Sequence, residues 1–122
     1  PHAQMPARPP PPLAPRRAPR AAAPAILRSL GDHGRKVPVT APKSGTGRAY
    51  CAAPALDTAA AVLALEHGVV PPTPNVYDVC HDLDVVTGSA RQAELRTALV
   101  LSRGRMGSNS ALVVRKGSPA TS

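Results

Sequence analysis

The sequence predicts an α/β fold: a short strand, a glycine-bearing loop, a long helix and two late strands, behind an amino-terminal stretch with no fold of its own. Three observations carry this reading. Residues 54–67 repeat apolar side chains at helical spacing and stop at Gly68. Ala98-Leu99-Val100-Leu101 and Ala111-Leu112-Val113-Val114 are uninterrupted apolar runs of strand length. Residues 1–24 hold nine prolines, four arginines and no acidic residue.

Proline fixes φ and removes a backbone donor, so residues 1–24 are expected to build neither a helix nor a central strand and to form a disordered, extended tail. The first residue is Pro1 rather than Met, which points to an incomplete chain. The Pro/Ala/Arg bias suits GC-rich codons, so the tail is compatible with translated sequence foreign to the domain, such as a frameshift product. Residues 25–30 form a short apolar patch closed by Gly31-Asp32-His33-Gly34, as in the last turns of a helix ending at Gly31. Residues 36–41 alternate, with Val37 and Val39 facing one way, and predict a short strand in which Pro38 suits an edge. Residues 42–50 read as a loop.

The helix over 54–67 has Pro54 in its first turn, where the missing N–H costs nothing, and Gly68 as its left-handed stop. Leu56, Ala59, Ala60, Leu63 and His67 share one face, and Val62 and Leu65 widen the apolar stripe, so both flanks are expected to be covered. Residues 69–75 are a proline-punctuated exit. Residues 78–88 interleave charge with Leu83, Val85 and Val86 and predict an extended segment over the surface. Residues 96–102 and 111–115 are the two strands, and their continuous apolar runs suit a sheet covered on both faces. Residues 103–110 join them and are too long for a two-residue hairpin. The domain organisation is a tail over 1–24, a folded segment over 25–117 and a frayed end over 118–122.

The formal net charge is +8, and the four arginines of residues 1–24 supply half of it. A basic tail suggests nucleic acid, but this one has no aromatic residue to stack on bases and its arginines are scattered, so nucleic acid is not the expected partner. Cys51 and Cys80 have neither metal-ligand spacing nor a disulfide framework, and read as free, partly buried thiols in a reducing cytoplasm. The amino terminus lacks the apolar core of a secretory signal, and no apolar run approaches the ~18 residues that span a bilayer, so a cytoplasmic chain with no membrane partner is expected. His33, His67 and His81 have no nucleophile motif beside them and read as surface histidines. Asp82 and Asp84 fall on one face of an extended segment and, without further ligands, read as solvated; no metal is expected.

Lys36-Val37-Pro38-Val39-Thr40-Ala41-Pro42-Lys43-Ser44-Gly45-Thr46-Gly47-Arg48, the helix ending Leu65-Glu66-His67-Gly68, and the exit Pro71-Pro72-Thr73-Pro74-Asn75 follow one another in an informative order. Strand, Lys-Ser loop, helix and Pro-Pro-Thr exit resemble the carboxy-terminal end of a β-ketoacyl synthase, over roughly residues 25–117. The resemblance implies an incomplete carboxy-terminal part of a thiolase-like αβαβα fold. It also implies a sheet order of 3-2-1-4-5, of which this chain would supply strands 3, 4 and 5.

That family has a catalytic histidine directly after the glycine matching Gly47, and here Arg48 stands in its place. A guanidinium is always protonated and offers no lone pair, so it cannot do the work of a neutral imidazole. Lys43 matches the lysine that holds the family's site network. Residues 103–109 match a Phe-Gly-Phe-Gly-Gly-His-Asn loop that positions the thioester oxygen and gates the pocket. Gly104, Gly107 and Asn109 remain, while Arg105 and Met106 replace Phe and Gly. Lys43, Gly47, Arg48, Gly104, Arg105, Met106, Gly107 and Asn109 are therefore expected to be vestigial site positions, with no catalytic residue among them.

The wording is similar to the chain-length-factor subfamily of aromatic (type II) polyketide synthases. This implies a non-catalytic subunit that pairs with a ketosynthase alpha subunit as a heterodimer, meets an acyl carrier protein and shapes the tunnel in which the polyketide grows. It implies no cofactor of its own, the carrier's phosphopantetheine thioesters being the partner's substrate. The alternatives are the carboxy-terminal part of an active β-ketoacyl-ACP synthase, an acyltransferase performing decarboxylative Claisen condensation, against which Arg48 argues, and a basic nucleic-acid-binding protein.

Overall fold

The computed structural model describes residues 18–47, 49–76, 82–104 and 106–117. The first element, α1, spans Ala18–Leu30, and a 3-10 turn over Gly31–Arg35 follows. This corrects the expectation that nothing helical forms before residue 25. Pro19 sits in the first turn, where an amide hydrogen has no partner to lose. Pro24 lies inside the helix and does remove a hydrogen bond. Packing compensates: Ala23, one residue earlier, is buried against Leu83 and Val85, with Ile26 and Leu27 on the same cluster. Tertiary burial, rather than propensity, holds this helix.

Strand β1 (Pro38–Val39) leads into α2 (Lys43–Thr46), a single turn inside the stretch expected to be loop, and a 3-10 turn at Tyr50–Ala52. The long helix α3 spans Ala53–His67. Gly68 closes it at φ 65°, its N–H donating to the Ala64 carbonyl at 2.9 Å. The predicted helix and its stop are thus present. Its expected covering on both flanks is not: Leu65 is buried, while Leu56, Val62 and Leu63 are exposed.

Three two-stranded pairings complete the fold. Strand β2 (Val69–Val70) pairs antiparallel with β4 (Arg91–Gln92), and β3 (Asp84–Val85) pairs parallel with β1. The long pair is β5 (Thr97–Arg103) and β6 (Asn109–Arg115), antiparallel, with Leu99 opposite Val113 and Val100 opposite Leu112. Both predicted late strands are therefore present, while β1 pairs with β3, a strand not among those expected, so the chain has more than the three strands predicted.

The segment expected to run over the surface is corrected. Leu83, Val85 and Val86 are all buried, and Val86, at 1% exposure, is the most enclosed large side chain among the described residues. The strand period explains Leu83 and Val85: Asp82 and Asp84 alternate with them, so the chain turns its carboxylates outward and those two side chains onto α1, while Val86 is held by backbone hydrogen bonds to Val39 and Thr73. Those carboxylates meet arginines, Asp82 with Arg35 and Asp84 with Arg91.

Helix α3 packs on β5 and also touches β6 and α2. It covers the face of the hairpin that carries the buried Val100. On the other face Leu99, Leu101 and Val113 stay exposed, and Leu112 beside Val100 is exposed too, so the apolar runs that predicted a doubly covered sheet are open on one side and only partly covered on the other.

Candidate functional site

The turn around Lys43 is knit together by hydrogen bonds from several directions. Gly47, at φ 80°, stops α2, and its N–H donates to the Lys43 carbonyl at 3.1 Å. The Lys43 ammonium points back to α3 and donates to Asp57 Oδ2 at 2.8 Å. The Asp57 side chain is only 12% exposed against 41% for Lys43, so the carboxylate is the member of the pair that depends on its partner.

The exit from α3 returns to grip the same turn. The Ala41 N–H donates to Thr73 Oγ1 at 2.9 Å, and the Thr73 N–H donates to the Val86 carbonyl at 2.8 Å. The Val86 N–H in turn donates to the Val39 carbonyl at 2.9 Å, which locks the exit and the 83–86 segment onto β1. The Ser44 hydroxyl lies 2.8 Å from the Ala41 carbonyl and 2.7 Å from the Pro74 carbonyl, and its one proton is shared between them. Asn75, at φ 58°, donates its Nδ2 to the Ser44 carbonyl at 3.2 Å. Gly45 is pressed so close that a Cβ there would lie 2.7 Å from Pro74 Cγ. The Pro-Pro-Thr exit and the Lys-Ser turn, two motifs 30 residues apart, are thus one unit.

The second set of expected positions is the β5–β6 connection. The Gly104 N–H donates to the Ser108 carbonyl at 2.7 Å, the Gly107 N–H to the Gly104 carbonyl at 3.2 Å, and Asn109 Nδ2 to the Gly107 carbonyl at 3.1 Å. A side chain on Gly104 would strike Ser108 Oγ, and Gly107 has φ 86°. The loop's path demands Gly107, whereas a methyl at Gly104 would need only the Ser108 hydroxyl to rotate away. Met106 is 96% exposed. The connection is closed by its own hydrogen bonds, and α3 is the element that contacts both this hairpin and the Lys43 turn.

Of the expected site positions, Arg48 and Arg105 lie outside the described residues, as do Cys80 and His81. His33 and His67 are both exposed, and Cys51 is a free thiol that is exposed, which corrects its expected partial burial. Among the described residues no group of three side chains is placed to hold a metal ion, and no helix is long and apolar enough to cross a membrane. Sequence reasoning missed Asp57 and Thr73. A carboxylate one turn inside α3, 14 residues after Lys43, was the available signal for the first. Thr73 gave none, because its role rests on contacts with residues 32 and 13 positions away.

A strand, a lysine turn, a central helix and a clasping Pro-Pro-Thr exit define the end of a condensing-enzyme fold, and the comparisons agree. Residues 20–77 match the model of the β-ketoacyl synthase carboxy-terminal domain. Over those residues the chain matches the β-ketoacyl synthase family. It is similar to a protein of Streptomyces coelicolor named a polyketide β-ketoacyl synthase 2, with 72% identity over 98 residues, covering 80% of this chain and 23% of that protein. A protein of the same name from Streptomyces halstedii is 66% identical over 98 residues, covering 80% and 24%. Among solved structures, a type II polyketide synthase acyl-carrier protein in complex with its ketosynthase, bound to the hexaketide, matches with a TM-score of 0.72 and 34% identity, over 79% of this chain and 24% of that one. The chain therefore spans about a quarter of the length of the relatives it matches.

Proposed function

We propose that this chain is part of a non-catalytic chain-length-factor-like subunit of an aromatic polyketide ketosynthase, working in the cytoplasm. It pairs with the active ketosynthase alpha subunit, shapes the elongation tunnel and thereby limits polyketide length. The carrying observation is Arg48, a permanent cation where condensing members of the family hold a neutral imidazole. The fold argues that this is a change of role on an otherwise kept frame, because the turn on its amino-terminal side is still held by Lys43, Ser44 and the Thr73–Asn75 exit. The relatives at 72% and 66% identity carry the synthase 2 name, while within the actinorhodin set the synthase 2 and synthase 1 proteins are equally similar at 46%. On this reading the subunit needs no cofactor of its own, and thioesters on the acyl carrier protein's phosphopantetheine are processed by the partner.

A segment exchange tests the proposal. Residues 25–117 replace the matching segment of a synthase 2 relative in one chimera and of a catalytic ketosynthase in another. The first is expected to copurify with the ketosynthase and support condensation. The second is expected to lose roughly 10²–10⁴-fold in rate, the usual worth of a positioned acid–base group. Arg48→His in that second chimera should recover activity. Full condensation by the unmodified second chimera would overturn the proposal and favour the alternative, an active β-ketoacyl-ACP synthase.

A further inference from the structure

We infer that Thr73, Pro74 and Asn75 form a positioning clamp whose purpose is to hold the Lys43 ammonium against Asp57. The inference concerns the geometry of this turn and stands whether or not the subunit catalyses anything. Lys43 is flanked by two anchored residues: Ala41, whose N–H is taken by Thr73 Oγ1, and Ser44, whose hydroxyl and carbonyl are engaged by Pro74 and Asn75. The backbone on both sides of the lysine is therefore fixed by one three-residue segment. Gly45 against Pro74 leaves the turn no room to slide.

The clamp is itself anchored independently of the turn. The Thr73 N–H donates to Val86, a residue of the buried core, and Thr73 is 3% exposed. Asp57 approaches from the other side, on α3. Because α3 runs directly into the exit segment, one stretch of chain supplies both the carboxylate that receives the ammonium and the clamp that aims it. The turn's own hydrogen bonds, from the N–H groups of Ser44, Gly45 and Gly47 to the carbonyls of Ala41, Pro42 and Lys43, close it locally without tying it to α3, and α2 is only four residues long, has no side-chain cap at its start and is stopped by Gly47.

The test is competitive acetylation of the 122-residue chain with acetic anhydride, read site by site by mass spectrometry, with exposed Lys36 and Lys116 as internal references. An amine held by a carboxylate must leave it to react, so labelling at Lys43 reports how well it is held. Thr73→Val keeps the shape and removes the acceptor for the Ala41 N–H. It is expected to raise Lys43 labelling relative to the references by about threefold or more, the scale set by one ordinary hydrogen bond. Thr73→Ser should return it to the starting value. Asp57→Asn sets the ceiling, and Thr73→Val added to it should raise Lys43 no further, which a merely loosened fold would not reproduce.

If Thr73→Val raises all three lysines, the chain has loosened and Asn75→Ala decides. Asn75 is exposed, so its loss should raise Lys43 alone and by less. Unchanged Lys43 labelling in Thr73→Val with quiet references, or in Asn75→Ala, would overturn the clamp.

Discussion

Lys43 and Asp57 are joined at 2.8 Å across 14 residues, tying the turn after β1 to the start of the long helix. The pair is asymmetric: its carboxylate is mostly covered and its ammonium partly open to water. Removing either partner should therefore have unequal effects. Lys43→Met leaves a covered carboxylate without its donor and is expected to cost about 1–3 kcal/mol in urea unfolding. Asp57→Asn leaves a lysine that can swing into solvent and should cost about 1 kcal/mol or less. Equal losses would show that the pair behaves as an ordinary surface contact.

Gly45 and Gly117 provide a matched contrast in the same chain. A methyl on Gly45 meets Pro74 Cγ at 2.7 Å, a ring carbon in a segment that is itself hydrogen-bonded to the turn, whereas Gly117 has nothing within 4 Å. Gly45→Ala is expected to destabilise by about 1–3 kcal/mol through overpacking. Gly117→Ala should stay within about 0.5 kcal/mol of the parent. Chemical denaturation of both variants checks the contrast.

How far these features were legible in the sequence depends on the range of the interactions behind them. The helix ending at Gly68 and the paired runs at 98–101 and 111–114 are set by local period and a local stop signal, and both are where the pattern put them. The burial of Leu83 and Val85 was not legible, because it depends on Ala23, some 60 residues earlier, in a helix that two prolines argued against. In the site, Lys43 and the turn glycines could be found from motif spacing. Asp57 and Thr73 could not, since each acts across a chain reversal.

The outer face of the β5–β6 hairpin presents Leu99, Leu101 and Val113 to solvent, and unpaired strand edges lie beside it. Such a surface invites association between chains. Leu99→Lys with Val113→Lys is expected to shift the chain toward monomer in size-exclusion chromatography. Stability should change by no more than about 0.5 kcal/mol per site, as these side chains bury little in the parent. Loss of cooperative unfolding in the double variant would show that this face packs inside the isolated chain.

Arg96 donates from Nε and Nη2 to the Glu94 carboxylate, at 3.2 and 2.8 Å. This hydrogen bonding, reinforced by the guanidinium charge, holds the Glu94 pKa below the ordinary glutamate value. The sign follows directly: a depressed folded-state pKa contributes stability that is present above the ordinary glutamate range and is lost as pH falls through the folded value. Full exposure keeps the contribution small. Carboxyl NMR titration should show Glu94 protonating at lower pH than an unpaired glutamate, and Arg96→Gln should move it back up. An unchanged midpoint in Arg96→Gln would contradict the pairing.

The proposal that the family frame is kept here without its chemistry is open to a condensation assay on the purified chain. Malonyl and acyl thioesters on acyl carrier protein are supplied, and loss of carbon dioxide and appearance of the β-ketoacyl product are followed. The chain is predicted to give no product above background. Arg48→His in the same 122 residues should also give none, because groups of one catalytic site act as a unit and restoring one of them restores little. Product formed by either protein would contradict the claim.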